Sequence, residues 1–285
     1  MMRATRLSLA TTLGAALVLA GCSQPSAPDS TASSTVAPAA SAPASPASAS
    51  SAASLPGDHA QTKRYRIDIS YPPLPASEQA LSKALHQAGD KAKREFMSAL
   101  PDPKEFPEWA DRQLQLMLEF SVAARMPAFV SIREQGMADT GGAHPIPVDA
   151  TFVYDTRAGK IMSLGDLFVD PEAARERLSQ VARKSLEKKL LAKVPGGEHT
   201  TAKARKEWTT NMRKMIVEGT EPTAENFSEF VILAGAGDKA SGLELVFSPY
   251  QVAPYVYGSQ TVDVPVDMFG SLLKPEYASA FDLAK

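Results

Sequence analysis

Cysteine is almost missing from this sequence: a single residue, Cys22, stands in 285. One thiol cannot build an intrachain disulfide framework, so any folded region must be held by its own core, even in an oxidising compartment. Metal-binding patterns are missing too. The four histidines show no H-x-x-x-H or H-E-x-x-H spacing, and no C-x-x-C exists. His59 falls in a Ser/Ala/Pro-rich linker, His86 in a helical pattern and His199 in a loop between helices. There is no G-x-S-x-G elbow and no S-x-x-K paired with K-T-G, which removes support for a serine nucleophile. The glycine-rich run 235–242 lacks the G-K-[ST] ending of a phosphate loop and reads as a hairpin turn. Neither sign of charge dominates, with 30 Lys and Arg against 32 Asp and Glu, which argues against nucleic acid as a partner. The basic run around Trp208, from Lys203 to Lys214, is interleaved with Glu207 and Glu218 and reads as a solvated helix face. No catalytic residue, metal site or cofactor is therefore assigned. Carboxylate pairs such as Glu218 and Glu221, or Asp166 and Asp170, keep a glycosidase formally open, but that chemistry depends on a separation across a cleft.

What is present begins with an address. Arg3 and Arg6 precede an apolar run, Leu7 to Ala20, too short to span a bilayer and closed by Leu19-Ala20-Gly21-Cys22. Residues 1–21 read as a secretory signal, and the sequence around Cys22 resembles a bacterial lipobox. That resemblance implies cleavage before Cys22, acylation of its sulfur with palmitate-like chains, and a lipoprotein held by the membrane only through that anchor. Each buried methylene would contribute roughly 0.8 kcal/mol. Ser23, being other than Asp, implies an outer-membrane destination facing the periplasm. Residues 22–60 are Ser, Ala, Pro and Thr with almost no large apolar side chain, and read as a flexible linker. Its expected mean reach is roughly 30 Å.

Beyond the linker the expected class is α+β, a mostly antiparallel sheet packed against amphipathic helices, in subdomains 61–150 and 151–285. Tyr65, Ile67, Ile69 and Tyr71 alternate with polar residues as a half-buried strand does. A helical pattern follows from Ser77 to about Leu100. Strands are expected at Leu114 to Arg125, Phe129 to Glu134, Thr151 to Tyr154 and Ile161 to Leu164. Asp170-Pro171 supplies an N-cap and a first-turn proline, predicting a helix to about Ala192 before Pro195-Gly196-Gly197. A second helix is expected from Thr201 to Val217, then strands at Phe230 to Ala234, Leu243 to Phe247 and Thr261 to Val266. No βαβ rhythm is evident.

Aromatics are sparse at 7%, yet three of the seven tyrosines fall within FSPYQVAPYVYG, residues 247–258. Pro249 and Pro254 fix φ at two points, making the stretch a semi-rigid connection. Such a loop loses little entropy on docking, and tyrosine is prominent among binding hot spots. The rings either form a protein-binding tip or fold back over the sheet edge as core. His144, between Gly141-Gly142 and Pro145, sits in a stiff turn that either presents its imidazole or uses it to bond backbone.

Three ordered segments carry a family resemblance: TGGAHPIPVDATFVYDTRAGKIMSLGDLF (140–168), EGTEPTAENFSEFVI (218–232) and LELVFSPYQVAPYVYGSQTVDVP (243–265). Together they resemble the extracellular domain of the RsiV-type anti-sigma factors that sense lysozyme, a domain also found fused to peptidoglycan deacetylases. The resemblance implies a non-catalytic α+β domain that binds a lysozyme-like muramidase or another cell-wall hydrolase. Carried over by position, the contact surface would comprise His144 and Pro145 of the turn with Ser248, Pro249, Tyr250, Pro254, Tyr255, Tyr257, Gly258 and Ser259 of the loop. An inhibitor or immunity protein guarding the cell wall is the implied role, and a peptidoglycan-binding accessory lipoprotein is the alternative.

Overall fold

The computed structural model describes residues 57–102, 104–105, 112–193 and 201–283. Cys22, His199 and the Pro195-Gly196-Gly197 stop lie outside the described residues. The first strand, β1 (Gly57–Gln61), pairs antiparallel with β2 (Tyr65–Ser70). This corrects the linker boundary at 60 and the placement of His59, whose Nδ1 lies 2.8 Å from the carboxylate of Asp68 on β2. The outer edge of β2 offers unpaired backbone groups, and a strand needs no apolar period to satisfy them. Sequence periodicity is blind to such an edge strand.

From β2 the chain enters helix α1 (Gln79–Ser98) and returns as β3 (Leu114–Arg125), parallel to β2. One βαβ unit is thus embedded in an otherwise antiparallel sheet, where the sequence suggested none. Next come β4 (Phe129–Asp139), β5 (Ile146–Asp155) and β6 (Lys160–Met162), each antiparallel to its predecessor, giving a six-stranded sheet in chain order. β4 and β5 are longer than their patterns indicated, and β5 runs through the expected subdomain boundary at 150. Helices α2 (Pro171–Leu191) and α3 (Ala202–Gly219) precede a second sheet of β7 (Phe230–Ala234), β8 (Ala240–Phe247) and β9 (Gln260–Pro265). The class is α+β with mostly antiparallel pairing.

Two buried clusters hold these layers. On one face of the large sheet, Ile67, Ile69, Leu116, Phe120 and Ile132 pack with Leu81, Leu85 and Phe96 of α1. On the other face, Phe129 and Val153 join Phe230, Leu243 and Phe247 of the small sheet and the buried stripe of α2. That stripe is Ala174, Leu178, Ala182, Leu186 and Leu190, spaced by four as a helix packed on one side requires. Fully burying each leucine contributes roughly 1.5–3 kcal/mol. β4 lies between the clusters, which is why Phe129, Val130, Ser131 and Ile132 are all buried in succession. A bulge between Val122 and Ala124 shifts the register of β3, and Ala124 belongs to the second cluster while Phe120 belongs to the first.

Polar groups fasten the two sheets. Ser131 Oγ accepts the Ile232 amide at 3.1 Å, and Arg133 pairs with Glu244 across the layer. The helices begin where the sequence indicated. Asp170 accepts from the amides of Glu172 and Ala173, with Pro171 in the first turn, and Thr201 accepts from Ala204 at 3.1 Å.

Candidate functional site

The long β4–β5 hairpin ends in the turn 140–145, so the glycines that break the chain form its tip. Beside this tip runs the connection from β8 to β9. Its opening four residues form a β-turn in which the Gln251 amide donates to the Ser248 carbonyl at 3.0 Å. Pro249 takes the second position, for which its fixed φ is suited, and Tyr250 takes the third with φ 70°. A turn with proline second and positive φ third asks for glycine at the third position. Tyr250 is the one non-glycine residue with positive φ among the described residues, and its side chain is mostly in solvent, 59% exposed. A bulky residue held in that region stores about 1–2 kcal/mol.

The middle of the connection is an anchor. Val252 and Ala253 are buried in the core, and the Gln251 amide side chain donates to the carbonyls of Gly219 and Asn226 at 3.1 and 3.0 Å. Gly219, the last residue of α3, allows this contact, since a Cβ there would lie 2.0 Å from the Gln251 carbonyl oxygen. After the anchor, Pro254 precedes one 3-10 turn, Tyr255–Tyr257, whose central Val256 is 84% exposed. Gly258 turns the chain back with φ 63°, and Ser259 Oγ donates to the Asp149 carboxylate of β5. Gln260, buried at the start of β9, donates to the carbonyls of Tyr257, Gly258 and Ser259.

Tyr255 joins loop to hairpin. Its hydroxyl donates to the Pro145 carbonyl at 2.9 Å, and its ring stacks on His144 at 4.0 Å between centroids, 22° from parallel. The ring of Tyr250 lies on Tyr255 at 5.7 Å. His144, Tyr255 and Tyr250 thus make a continuous aromatic ladder, bordered by exposed Ile146 and Val256. Tyr257 turns the other way, against Trp208 of α3 at 6.4 Å and beside the core, with the Lys193 ammonium 5.7 Å from its ring centre. The two alternatives for the tyrosine stretch are both realised, by different rings: Tyr250 is presented, Tyr257 is packed, and Tyr255 is half-buried as the bridge. Sequence reasoning passed over Gln251, Val252, Asp149 and Val256. Pro249 hinted at a turn, but nothing local marks Gln251 as its anchor.

Carboxylates gather behind this surface. Glu229 accepts from the Thr151 amide and hydroxyl, and the Thr151 hydroxyl accepts the Phe230 amide at 2.8 Å, tying β5 to β7. Glu134 of β4 is buried and lifted to about 7, first by loss of solvent and then by the nearby charges of Glu229 and Asp149, against an opposing pull from Lys91. Among the described residues, no three His, Cys, Asp or Glu side chains are grouped to hold a metal ion.

Residues 165–267 match the family described as "Protein of unknown function (DUF3298)". The DUF3298 segment includes the tyrosine loop and both helices α2 and α3, while the His144 turn precedes it. The chain is 25% identical over 215 residues, 75% of its length, to the peptidoglycan-N-acetylmuramic acid deacetylase PdaC of Bacillus subtilis (strain 168). It spans 40% of that enzyme's length. A crystal structure of a DUF3298 family member from Bacteroides fragilis NCTC 9343 superposes with a TM-score of 0.51 at 15% identity, covering 76% of this chain and 88% of that one. This likeness shows the fold alone. A DUF3298 family protein from Pseudomonas aeruginosa PAO1 matches with a TM-score of 0.48 at 19% identity, over 78% and 95% of the two chains.

Proposed function

We propose that this protein is an extracytoplasmic binding protein that grips a lysozyme-like peptidoglycan hydrolase with its aromatic ladder and restrains it without catalysis, as an inhibitor or immunity protein. The observation that carries this reading is Tyr250: a large ring held out in solvent on a backbone conformation that only glycine adopts freely. Strain of that kind persists where the surroundings enforce it, and it clusters at ligand-gripping positions. The ladder is preorganised by the Tyr255–Pro145 hydrogen bond, so little ordering entropy remains to oppose association. The similarity to a peptidoglycan deacetylase supports a place at the cell wall. Among the described residues no helix is long and apolar enough to cross a membrane, and a lipid on Cys22 would serve as the anchor, in the outer membrane by the Ser23 rule.

The test is calorimetric titration of the full chain with a purified lysozyme-fold muramidase, alongside wall-clearing assays of the enzyme. Saturable binding that falls at least tenfold in Tyr250→Ala, with matching relief of inhibition, supports the reading. Absence of binding to any such enzyme removes it. A second reading, a peptidoglycan-binding accessory protein, draws on the same exposed rings, whose faces can stack on sugars. Binding of purified muropeptides in place of the enzyme would select it.

A further inference from the structure

The geometry points to a second binding site, a groove along α2 for a phosphate-linked polyol chain. The chain carries a formal charge of −2, yet α2 and α3 together hold eleven basic and five acidic residues, a surplus of six. The remainder of the chain therefore carries −8. Charge is segregated onto the helical layer, and within that layer one groove concentrates it.

Arg177, Lys184 and Lys188 stand at i, i+7 and i+11, on one side of α2 and over about 16 Å of its length. They line a groove of about 550 Å³, with Met268 contributing from the segment after β9. No carboxylate lines it; Glu176 and Glu187 project roughly a quarter-turn away round the helix. Arg177 is set in place, its Nε donating to the Met268 carbonyl at 3.0 Å. Lys184 and Lys188 make no ion pair or hydrogen bond among the described residues. This differs from Lys203 and Lys214 of α3, which are matched at i+4 by Glu207 and Glu218.

Three cations in a row with no internal counter-charge complement a linear anion. Three further features narrow its class. Exposed beside the cations are Gln180 and Ser185, an amide and a hydroxyl able to bond the hydroxyls of a polyol, with Val181 and Met268 next to them. No aromatic ring lines the groove, so bases would find no stacking platform. Of its two apolar members Val181 is half-buried and Met268, though exposed, lies against the Arg177 guanidinium, which leaves too little free apolar surface for insertion into a bilayer.

The experiment uses the full chain and labelled poly(glycerol phosphate), with fluorescence anisotropy as the readout. A single-stranded oligonucleotide of equal charge, vesicles containing anionic lipid and neutral dextran serve as parallel probes. Saturable binding to poly(glycerol phosphate) is expected, with a log–log salt slope of about −2 for three neutralised phosphates. Lys184→Gln with Lys188→Gln should weaken it at least tenfold at unchanged melting temperature, since neither lysine holds the fold. Lys203→Gln with Lys206→Gln on α3, an equal charge change, should alter it less than twofold. Equal loss in both pairs would mean diffuse attraction and would overturn the site. So would tighter binding of the oligonucleotide or the vesicles, or no binding of the phosphate polymer. The aromatic ladder is untouched by these substitutions, so the outcome is independent of the hydrolase reading.

Discussion

Replacing Tyr250 by glycine and, separately, by alanine separates backbone strain from ring contact. In an ordinary loop or helix glycine is less stable than alanine by about 0.5–1 kcal/mol, because it loses more freedom on folding. At Tyr250 the order should reverse. Its φ of 70° strains any residue with a Cβ by about 1–2 kcal/mol, so Tyr250→Gly should exceed Tyr250→Ala in stability by about 1 kcal/mol. Both variants lose the ring, of which 59% is already in water. The remaining buried share, about 80 Å² at roughly 25 cal/mol per Å², sets a ceiling of about 2 kcal/mol on that loss. Urea denaturation measures both quantities through the midpoint at constant slope, and thermal melting should separate the two variants by about 2–4 °C for a chain of this size. Binding of the muramidase should fall about 30-fold or more in both variants alike, the scale of a hot-spot aromatic. If alanine proves as stable as glycine or more so, the turn is not strained as described. If glycine improves stability and binding persists, the ring is not the contact.

Glu134→Gln should flatten a pH dependence. With its folded value at about 7 and an ordinary value of 4.5, this carboxyl holds its proton in the native state after the unfolded chain has lost it. The contribution of Glu134 to stability is therefore greatest below about 4.5, declines as pH rises to 7 and is level above, by up to about 3 kcal/mol in all. Chemical denaturation of both proteins from pH 4.5 to 8 should show that difference shrinking in the variant, and parallel curves would refute the assignment. Gly219→Ala puts a Cβ 2.0 Å from the Gln251 carbonyl, against backbone that cannot rotate away. It should cost more than 2 kcal/mol in a melt and displace the loop, weakening muramidase binding even with every ring present. Cys22→Ser should abolish incorporation of radiolabelled palmitate and release the protein from membranes on fractionation; retention of label would place the lipid elsewhere.

The sequence by itself determined the local elements with strong period or punctuation. Asp170-Pro171 started α2, and alternation in Tyr65 to Tyr71 and in Leu243 to Phe247 marked strands. These follow from interactions within one turn or one strand, which is the range that periodicity reads. Proline and tyrosine also singled out the stretch 247–258 and the glycines singled out the His144 turn, without stating that the two meet.

Tertiary structure decided the rest. The edge strand at Gly57–Gln61 exists because β2 leaves a row of backbone partners beside it, not because its own residues favour a strand. Which tyrosine faces solvent depended on Gln251 reaching Gly219 and Asn226, contacts 32 and 25 positions away. The hydroxyl of Tyr255 found its acceptor 110 residues earlier, at Pro145. A pattern of residue types carries no record of such pairings, because each is fixed by the packing of whole layers against one another.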